Sequence, residues 1–310
     1  MRSAVNIRTL NIGEDILGGH AVHRIVYSVE DFLFYRKLGV LGLILFFSGM
    51  LALSRSPLLG ILGIGILGAM FAHMVELQHQ CLHYTAFKRR ILNRFVGVLL
   101  GLPMLVSFSP YQALHFRHHK AVGTKEDTEF FDREYFKLEL KYLLQHLFDL
   151  KRIFNSVSLM FKSWLPNFAL PNASKIATRK AQQEYQIMSL VLTILAWLSF
   201  YFHSGIIFRL WLIPLTLVSQ PVHFLIELPE HFGCESRSKE PHLNTRTVKG
   251  SWFSFWFTNG NNFHVEHHAR PSLPIDQLPQ YHDYCSLNLE YLNNNYFEFY
   301  RGVFMSKWSK

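Results

Sequence analysis

Eight histidines fall into three short clusters: His79-Gln80-Cys81-Leu82-His83, His115-Phe116-Arg117-His118-His119 and His264-Val265-Glu266-His267-His268. On a helix, residues at i and i+4, or at i, i+3 and i+4, share one face. Each cluster can therefore aim two or three imidazoles at one point. Eight converging neutral imidazoles exceed what a mononuclear site uses. Imidazole suits zinc, copper, iron or nickel, and on iron it leaves positions open for dioxygen. The alternative is a set of surface histidines that titrate freely. Recurrence of the spacing in all three clusters argues against it.

Ligating imidazoles must be neutral, and they usually donate their other N–H to a carboxylate or carbonyl. The candidate carboxylates are Glu76, one helical turn before His79; Asp127 and Glu129, after the second cluster; Glu230, beside His231; and Glu266, inside the third cluster. Each can equally be a solvated or interfacial charge. Glu76 stands out because a carboxylate at the end of a membrane helix needs a partner. His20, His23, His73, His146, His203, His223, His242 and His282 have no cluster partners and read as structural or surface residues; His73 and His223 could instead line a substrate channel. Cys81, Cys234 and Cys285 have no ligand spacing and read as small packing residues.

The elements that must position these residues are apolar. Hydrophobic residues make up 49% of the 310-residue chain and charged residues only 17%, below the usual quarter of a globular domain. The net charge is +9, but no basic run interleaved with aromatics tracks a nucleic acid, so that partner is set aside. The N-terminal stretch has no charged start followed by an apolar core, and Arg2 replaces the glycine that myristoylation needs. Insertion is expected from internal spans. Residues 1–37 read as a cytosolic lead-in, 38–77 and 187–226 as two helical hairpins, and 78–186 and 227–310 as a cytosolic cap. The third cluster lies in the last of these segments. Expected breaks are Ser54-Arg55-Ser56-Pro57 and His203-Ser204-Gly205, with kinks at Pro214 and Pro221. Only Arg55 and Arg209 among the Lys and Arg residues fall in the hairpins, so positive-inside bias puts both termini and the central segment in the cytoplasm. Four spans then place all three clusters on one face, as a shared metal site requires.

Three stretches have ambiguous patterns. Ile91–Ser109 is apolar enough to suggest a fifth span, which would separate the first two clusters. Asn93, Arg94, Pro103 and Pro110 favour a membrane-dipping or interfacial helix. Residues 138–163 alternate Leu and Phe with Lys. They read as an amphipathic helix, either on the bilayer or packed on the cap. Gly63-Ile64-Gly65-Ile66-Leu67-Gly68 matches a dinucleotide fingerprint but lies inside a span, where small residues serve close helix packing.

The order H-x-x-x-H, H-x-x-H-H, H-x-x-H-H resembles the integral-membrane fatty acid desaturase and hydroxylase superfamily. The resemblance runs from His79 to about His282. It includes Pro229-Glu230-His231, Thr245-Arg246-Thr247-Val248 and residues 271–278. It implies an all-α membrane protein whose cytosolic cap holds two irons on His79, His83, His115, His118, His119, His264, His267 and His268. Relatives use one more histidine before the third box, and His231 fits that role. Related sequences often carry Asn where this chain has Glu227. A carboxylate there could ligate iron directly, so Glu227 and Glu76 are tentative ligands or supports. The implied reaction uses dioxygen and electrons to insert a double bond into a fatty acyl chain carried on a lipid, coenzyme A or a carrier protein. A hydroxylase or ketolase on the same site is the alternative. A histidine-rich metal transporter is a rival from another class, but its ion site belongs near the midplane. A haem protein would need one axial histidine from each of two helices, which paired boxes do not serve. No His-Pro-Gly-Gly cytochrome b5 signature is present, so a separate ferredoxin or cytochrome b5-type donor is expected.

The topology has a direct check. In a variant lacking native cysteines, single cysteines near Ser56 and Ser204 should react with an external thiol reagent. One near Lys125 should not; outside labelling there would mean that Ile91–Ser109 crosses the bilayer.

Overall fold

The computed structural model describes residues 29–124, 126–127, 140–171, 173–235, 237–285 and 289–308. Most of the expected lead-in, including His20 and His23, lies outside them, as do Glu129 and the side chain of Cys285. The first two helices are α1 (Asp31–Ala52) and α2 (Pro57–Leu82). Four shorter ones come after them: α3 (Arg90–Gly101), α4 (Phe108–Ala121), α5 (Leu140–Phe148) and α6 (Leu150–Lys162). Next come α7 (Lys175–Tyr201) and a helix over Phe208–His231, whose last part, Gln220–His231, is α8. The remainder comprises α9 (Pro241–Asn244), β1 (Thr247–Val248), α10 (Trp252–Phe257), α11 (His264–Ala269), α12 (Leu278–Cys285), β2 (Leu292–Asn293) and α13 (Tyr296–Trp308). The strands form one short parallel pair.

Among the described residues, four helices are long and apolar enough to cross a membrane: α1, α2, α7 and Phe208–His231, of 22, 26, 27 and 24 residues. At 1.5 Å per residue each exceeds a hydrocarbon core of about 30 Å. Several ends differ from the sequence reading. The first helix begins at Asp31, inside the expected lead-in. Asp31 Oδ1 accepts from Lys88 N (2.8 Å), and Phe34 packs edge-on against Phe87, so the start of α1 is held by the chain just beyond α2. The second helix runs on to Leu82 and carries His79 in its last turn. The third begins at Lys175, because Ser174 Oγ caps it by accepting from Ala177 N (3.2 Å). The fourth extends to His231.

Residues 91–109 form no span. The 12-residue α3 ends at Gly101, and Leu105, at φ 57°, turns the chain into α4. Asn93 is fully buried, accepting from Ala86 N and Phe87 N and donating to Phe87 O (2.6 Å). Arg94 pairs with Glu184 (3.2 Å). The amphipathic stretch is two helices rather than one, broken at Asp149 (φ 26°), whose carboxylate caps α6 through Arg152 N (3.1 Å). Pro214 produces a wider turn in place of a simple kink: Phe208–Leu212 and Pro214–Ser219 are π-helical. Proline lacks the N–H that continues an α-ladder, and side-chain hydroxyls add bonds to carbonyls within the wide turns. Thr216 Oγ1 donates to Leu212 O (2.7 Å) and Ser219 Oγ to Pro214 O (2.8 Å). Pro229 leaves Leu225 O without its ladder donor, and Tyr300 Oη of α13 supplies one at 2.5 Å.

α2 is the hub, packing on α1, α3, α4, α8 and the π-helical turns. Its glycines explain why. A Cβ on Gly63 would lie 2.2 Å from Ala52 N, and one on Gly68 2.3 Å from Val218 Cβ, whereas Gly65 faces open space. Gly63→Val should therefore destabilise the protein by about 1–3 kcal/mol through overpacking. Gly65→Ala should be neutral or stabilising, since Ala is the better helix former. Thermal unfolding of both variants in detergent checks the difference.

Candidate metal centre

Nine histidines from four helices and one helix cap converge in two adjacent sets. Set one is His79, His83, His115, His119 and His267; set two is His118, His231, His264 and His268. Within each set the ligand atoms lie within 4.8 Å of one another. The second and third boxes are each divided between the sets, because i, i+3 and i+4 spread a cluster over an arc of the helix. The two sets abut: the rings of His119 and His268 have centroids 4.3 Å apart.

Ring nitrogens face ring nitrogens. His115 Nε2 is 2.7 Å from His79 Nε2, 2.9 Å from His83 Nε2 and 3.0 Å from His119 Nε2. His119 Nε2 is 3.1 Å from His267 Nε2. In set two, His118–His268, His264–His231 and His268–His264 are 3.2, 3.1 and 3.1 Å apart. A neutral imidazole offers one donor and one acceptor, so these nitrogens cannot satisfy one another as hydrogen bonds. A cation with bonds of about 2.0–2.1 Å would set neighbouring ligands about 3 Å apart. The donor set therefore fits a bound metal in each half.

The outer faces of the rings are held by the protein. His118 Nδ1 meets Asp127 Oδ1 at 2.8 Å, with both side chains 2% exposed. His231 Nδ1 donates to Asn244 O (3.0 Å). His264 Nδ1 faces Asn261 Oδ1 (3.4 Å), and Asn261 Nδ2 donates to Glu230 Oε1 (2.8 Å), whose Oε2 lies 3.3 Å from the inward-facing His264 Nε2. Glu266 is fully buried and turns away from both sets, accepting from Thr247 Oγ1 (2.6 Å) and bonding His282 Nδ1 (2.5 Å). It fixes α11 rather than contributing to a metal group. His282 is thus a buried structural residue. His73 is structural too: its Nδ1 bonds Phe257 O (2.7 Å) and its ring stacks on Trp256.

Long-range polar ties bring the helices into register. Glu184 of α7, buried, accepts from Ser107 Oγ (2.8 Å), Ser109 N (2.8 Å), Ser109 Oγ (2.6 Å) and Arg94 (3.2 Å), which clamps the start of α4. Lys37 of α1 pairs with Asp276 (2.8 Å) and donates to Asn259 Oδ1 (2.7 Å), linking α1 to the turns around α11. Arg246 donates to Pro229 O and Phe232 O, both at 2.6 Å, and steadies the end of α8. Sequence pattern alone misses Glu184 and Lys37, since each sits beside other polar residues at the edge of an apolar run.

Glu76 and Glu227 belong to neither histidine set. They form a third group with His223, a residue whose sequence context reads as structural, surface or channel-lining. His223 Nδ1 is 3.1 Å from Glu227 Oε2, and His223 Nε2 is 3.6 Å from Glu76 Oε1. Cys81 and Cys234 are buried free thiols and join no group. A cavity of about 480 Å³ opens beside the centre. Its walls are formed by apolar residues such as Leu105, Leu114 and Phe224, and by His79, His115, His118, His231 and His264.

These features define a helical membrane protein with a polyhistidine dinuclear-type centre at the ends of its helices. The chain belongs to the fatty acid desaturase family, whose model matches residues 55–300. It is 25% identical over 69% of its length to a dihydrorhizobitoxine desaturase of Bradyrhizobium elkanii. It is 26% identical over 69% to a putative sphingolipid delta(4)-desaturase/C4-monooxygenase of Caenorhabditis elegans, and 26% identical over 65% to an acyl-lipid (9-3)-desaturase of Physcomitrium patens. The matches cover 64%, 55% and 43% of those relatives' own lengths.

Desolvation, followed by repulsion between neighbouring imidazoles, holds His83, His115, His119, His264, His267 and His268 well below the usual histidine value. They are neutral at neutral pH, as ligation requires. In the unfolded chain they titrate near ~6.5. Their depressed folded-state values mean that the unfolded state binds more protons below that pH, so folding stability is lost as pH falls through it. The melting temperature of the metal-free protein should drop between pH 7 and pH 5; thermal scans across that window check it.

Proposed function

We propose that the chain is a dioxygen-dependent di-iron oxidoreductase of the membrane that desaturates an acyl-type chain. The observation that carries this reading is the convergence of nine histidines, seven buried and two half-buried, into two abutting sets beside a largely apolar cavity. His79, His83, His115, His119 and His267 would hold one iron; His118, His231, His264 and His268 would hold the other. When bound, iron supplies the electron chemistry that makes dioxygen strong enough to attack an unactivated C–H bond, which side chains alone cannot do.

The protein supplies placement. Leu105, Leu114 and Phe224 line the cavity and hold a hydrocarbon segment against the histidine face while excluding water. Asp127, Asn261 and the carbonyl of Asn244 fix the tilt of His118, His264 and His231. In balance, a –CH2–CH2– unit and dioxygen, with two electrons and two protons from a separate donor, become –CH=CH– and two waters. The names of two of the relatives, a sphingolipid and an acyl-lipid desaturase, support a lipid-like substrate, and one of these names includes a monooxygenase. Hydroxylation on the same centre is therefore the second reading. We assign the helices to two hairpins with the histidine cap on the cytoplasmic side, where a ferredoxin or cytochrome b5-type donor would dock. The Lys and Arg distribution and the shared end of the three boxes support that orientation.

Replacing any one of the nine histidines with Ala should abolish turnover and reduce bound iron while leaving membrane insertion intact. Asp127→Asn should cost about 10–100-fold in iron affinity or activity, because it loosens a ligand without removing it. Iron analysis of the purified variants, with lipid profiling of a host expressing the chain or His118→Ala, measures both. Full activity and iron content in two histidine variants would refute the reading.

A further inference from the structure

Glu76 of α2 and His223 and Glu227 of α8 each offer one ligand atom, all within 4.8 Å of one another and separate from both histidine sets. Two carboxylates share this pocket inside the helix bundle, and Glu76 is 2% exposed. No Lys or Arg among the described residues forms an ion pair with either one. Arg152, on the wall of the same cavity, is taken up by Asp149 (3.5 Å) and Met104 O (3.0 Å). A buried carboxylate (Glu76) beside a half-buried one (Glu227) is costly, and Arg152 offsets it only by attraction to Glu227 without forming an ion pair. Imidazole answers part of the charge through Nδ1, 3.1 Å from Glu227, but Nε2 is buried without a hydrogen-bond partner, 3.6 Å from Glu76.

A second, independent feature points to a ligand at this place. Gln220 sits three residues before His223, on the same face of α8, and is 5% exposed. Its Nε2 has no hydrogen-bond partner, and it lines the cavity together with His223 and Glu227. A buried, unpartnered amide beside two carboxylates and an imidazole is a donor waiting for an oxygen that the protein does not supply.

We propose that Glu76, His223 and Glu227 form a third cation site, distinct from the two histidine sets, that takes a divalent metal ion. One imidazole and two carboxylates form a mixed donor set suited to Mn²⁺, Fe²⁺ or Zn²⁺ rather than to a thiolate-loving ion. The ligands come from two packed helices, so the site is held open in the fold. Glu227 and His223 face the cavity, and the remaining coordination positions point there. A water or an oxygen of the substrate's polar end fills them, with the Gln220 amide donating to that oxygen.

The test is metal content, which does not depend on turnover. Purified protein is stripped, reloaded anaerobically with Fe²⁺, and then given Mn²⁺. The expected result is about two irons on the histidine sets and about one further ion per chain, with a Mn²⁺ electron-spin signal of a bound, isolated ion. His223→Ala and Glu227→Gln should lose the third ion and the Mn²⁺ signal while keeping both irons. His118→Ala should lose iron but retain bound Mn²⁺. Wild-type protein that saturates at two ions with no bound Mn²⁺ overturns the third site whatever the variants do, and leaves the di-iron reading standing. Loss of the third ion in Val75→Ala, whose side chain is not a ligand, would overturn the assignment of these three residues. Absence of iron from the histidine sets, with Mn²⁺ still bound, would refute the di-iron function and not the third site.

Discussion

One imidazole nitrogen can satisfy one other, but not three at about 3 Å, as His115 Nε2 meets His79, His83 and His119, unless something positive lies between them. That constraint organises the molecule. The lone pairs of five rings in one set and four in the next are aimed inward, and burial keeps the rings uncharged. Everything around them resists the resulting repulsion. α4 is clamped at its start by Glu184, α11 is tied by Glu266 to Thr247 and His282, and α8 is pinned by Arg246. Each tie is a charge-assisted bond in a low-dielectric setting, where such bonds are stronger than at a surface.

The membrane helices and the centre are one mechanical unit because α2 belongs to both. Its first half is thinned by Gly63 and Gly68, so that α1 and the π-helical turns approach its backbone. Its last turns carry Glu76 and His79 to the metal centre's side of the helix. Packing in the lipid-facing half therefore sets the height and rotation of the first ligand. Lys37 repeats the arrangement from α1, reaching Asp276 and Asn259 on the far side of the site.

Eight of the nine histidines were legible because ligand spacing is local: i, i+3 and i+4 put rings on one face whatever the rest of the fold does, while His231, which has no such spacing, was reached only through the family resemblance. The four apolar helices were legible from length and composition. The distribution of rings between two sets was not, since it depends on the rotation of α4 against α11. Glu184 gave no local pattern, because its partners are more than seventy residues away. His223 looked like a lone histidine within an apolar stretch; its meaning comes from Glu76 on another helix. Helix ends were misjudged wherever polar residues continue a helix beyond the apolar run, as at Asp31 and Lys175. Pro214 signalled a disturbance, but a missing N–H by itself does not say whether the backbone bends or widens.

The widened turns over Phe208–Ser219 also set the aim of α8. A π-turn holds an extra residue, and in an α-helix each residue rotates the chain by about 100°. His223, Glu227 and His231 recur every four residues on one stripe of α8, so the stripe turns as a single body. The wide turns act as an angular setting for that body: a helix of regular pitch across the same stretch would rotate the stripe away from its present direction. Gain or loss of one residue between Phe208 and Ser219 would thus move three functional side chains together, although none of them had changed. Chains of this family that differ in length here would be expected to differ in which groups face the cavity, even where their histidine boxes are identical.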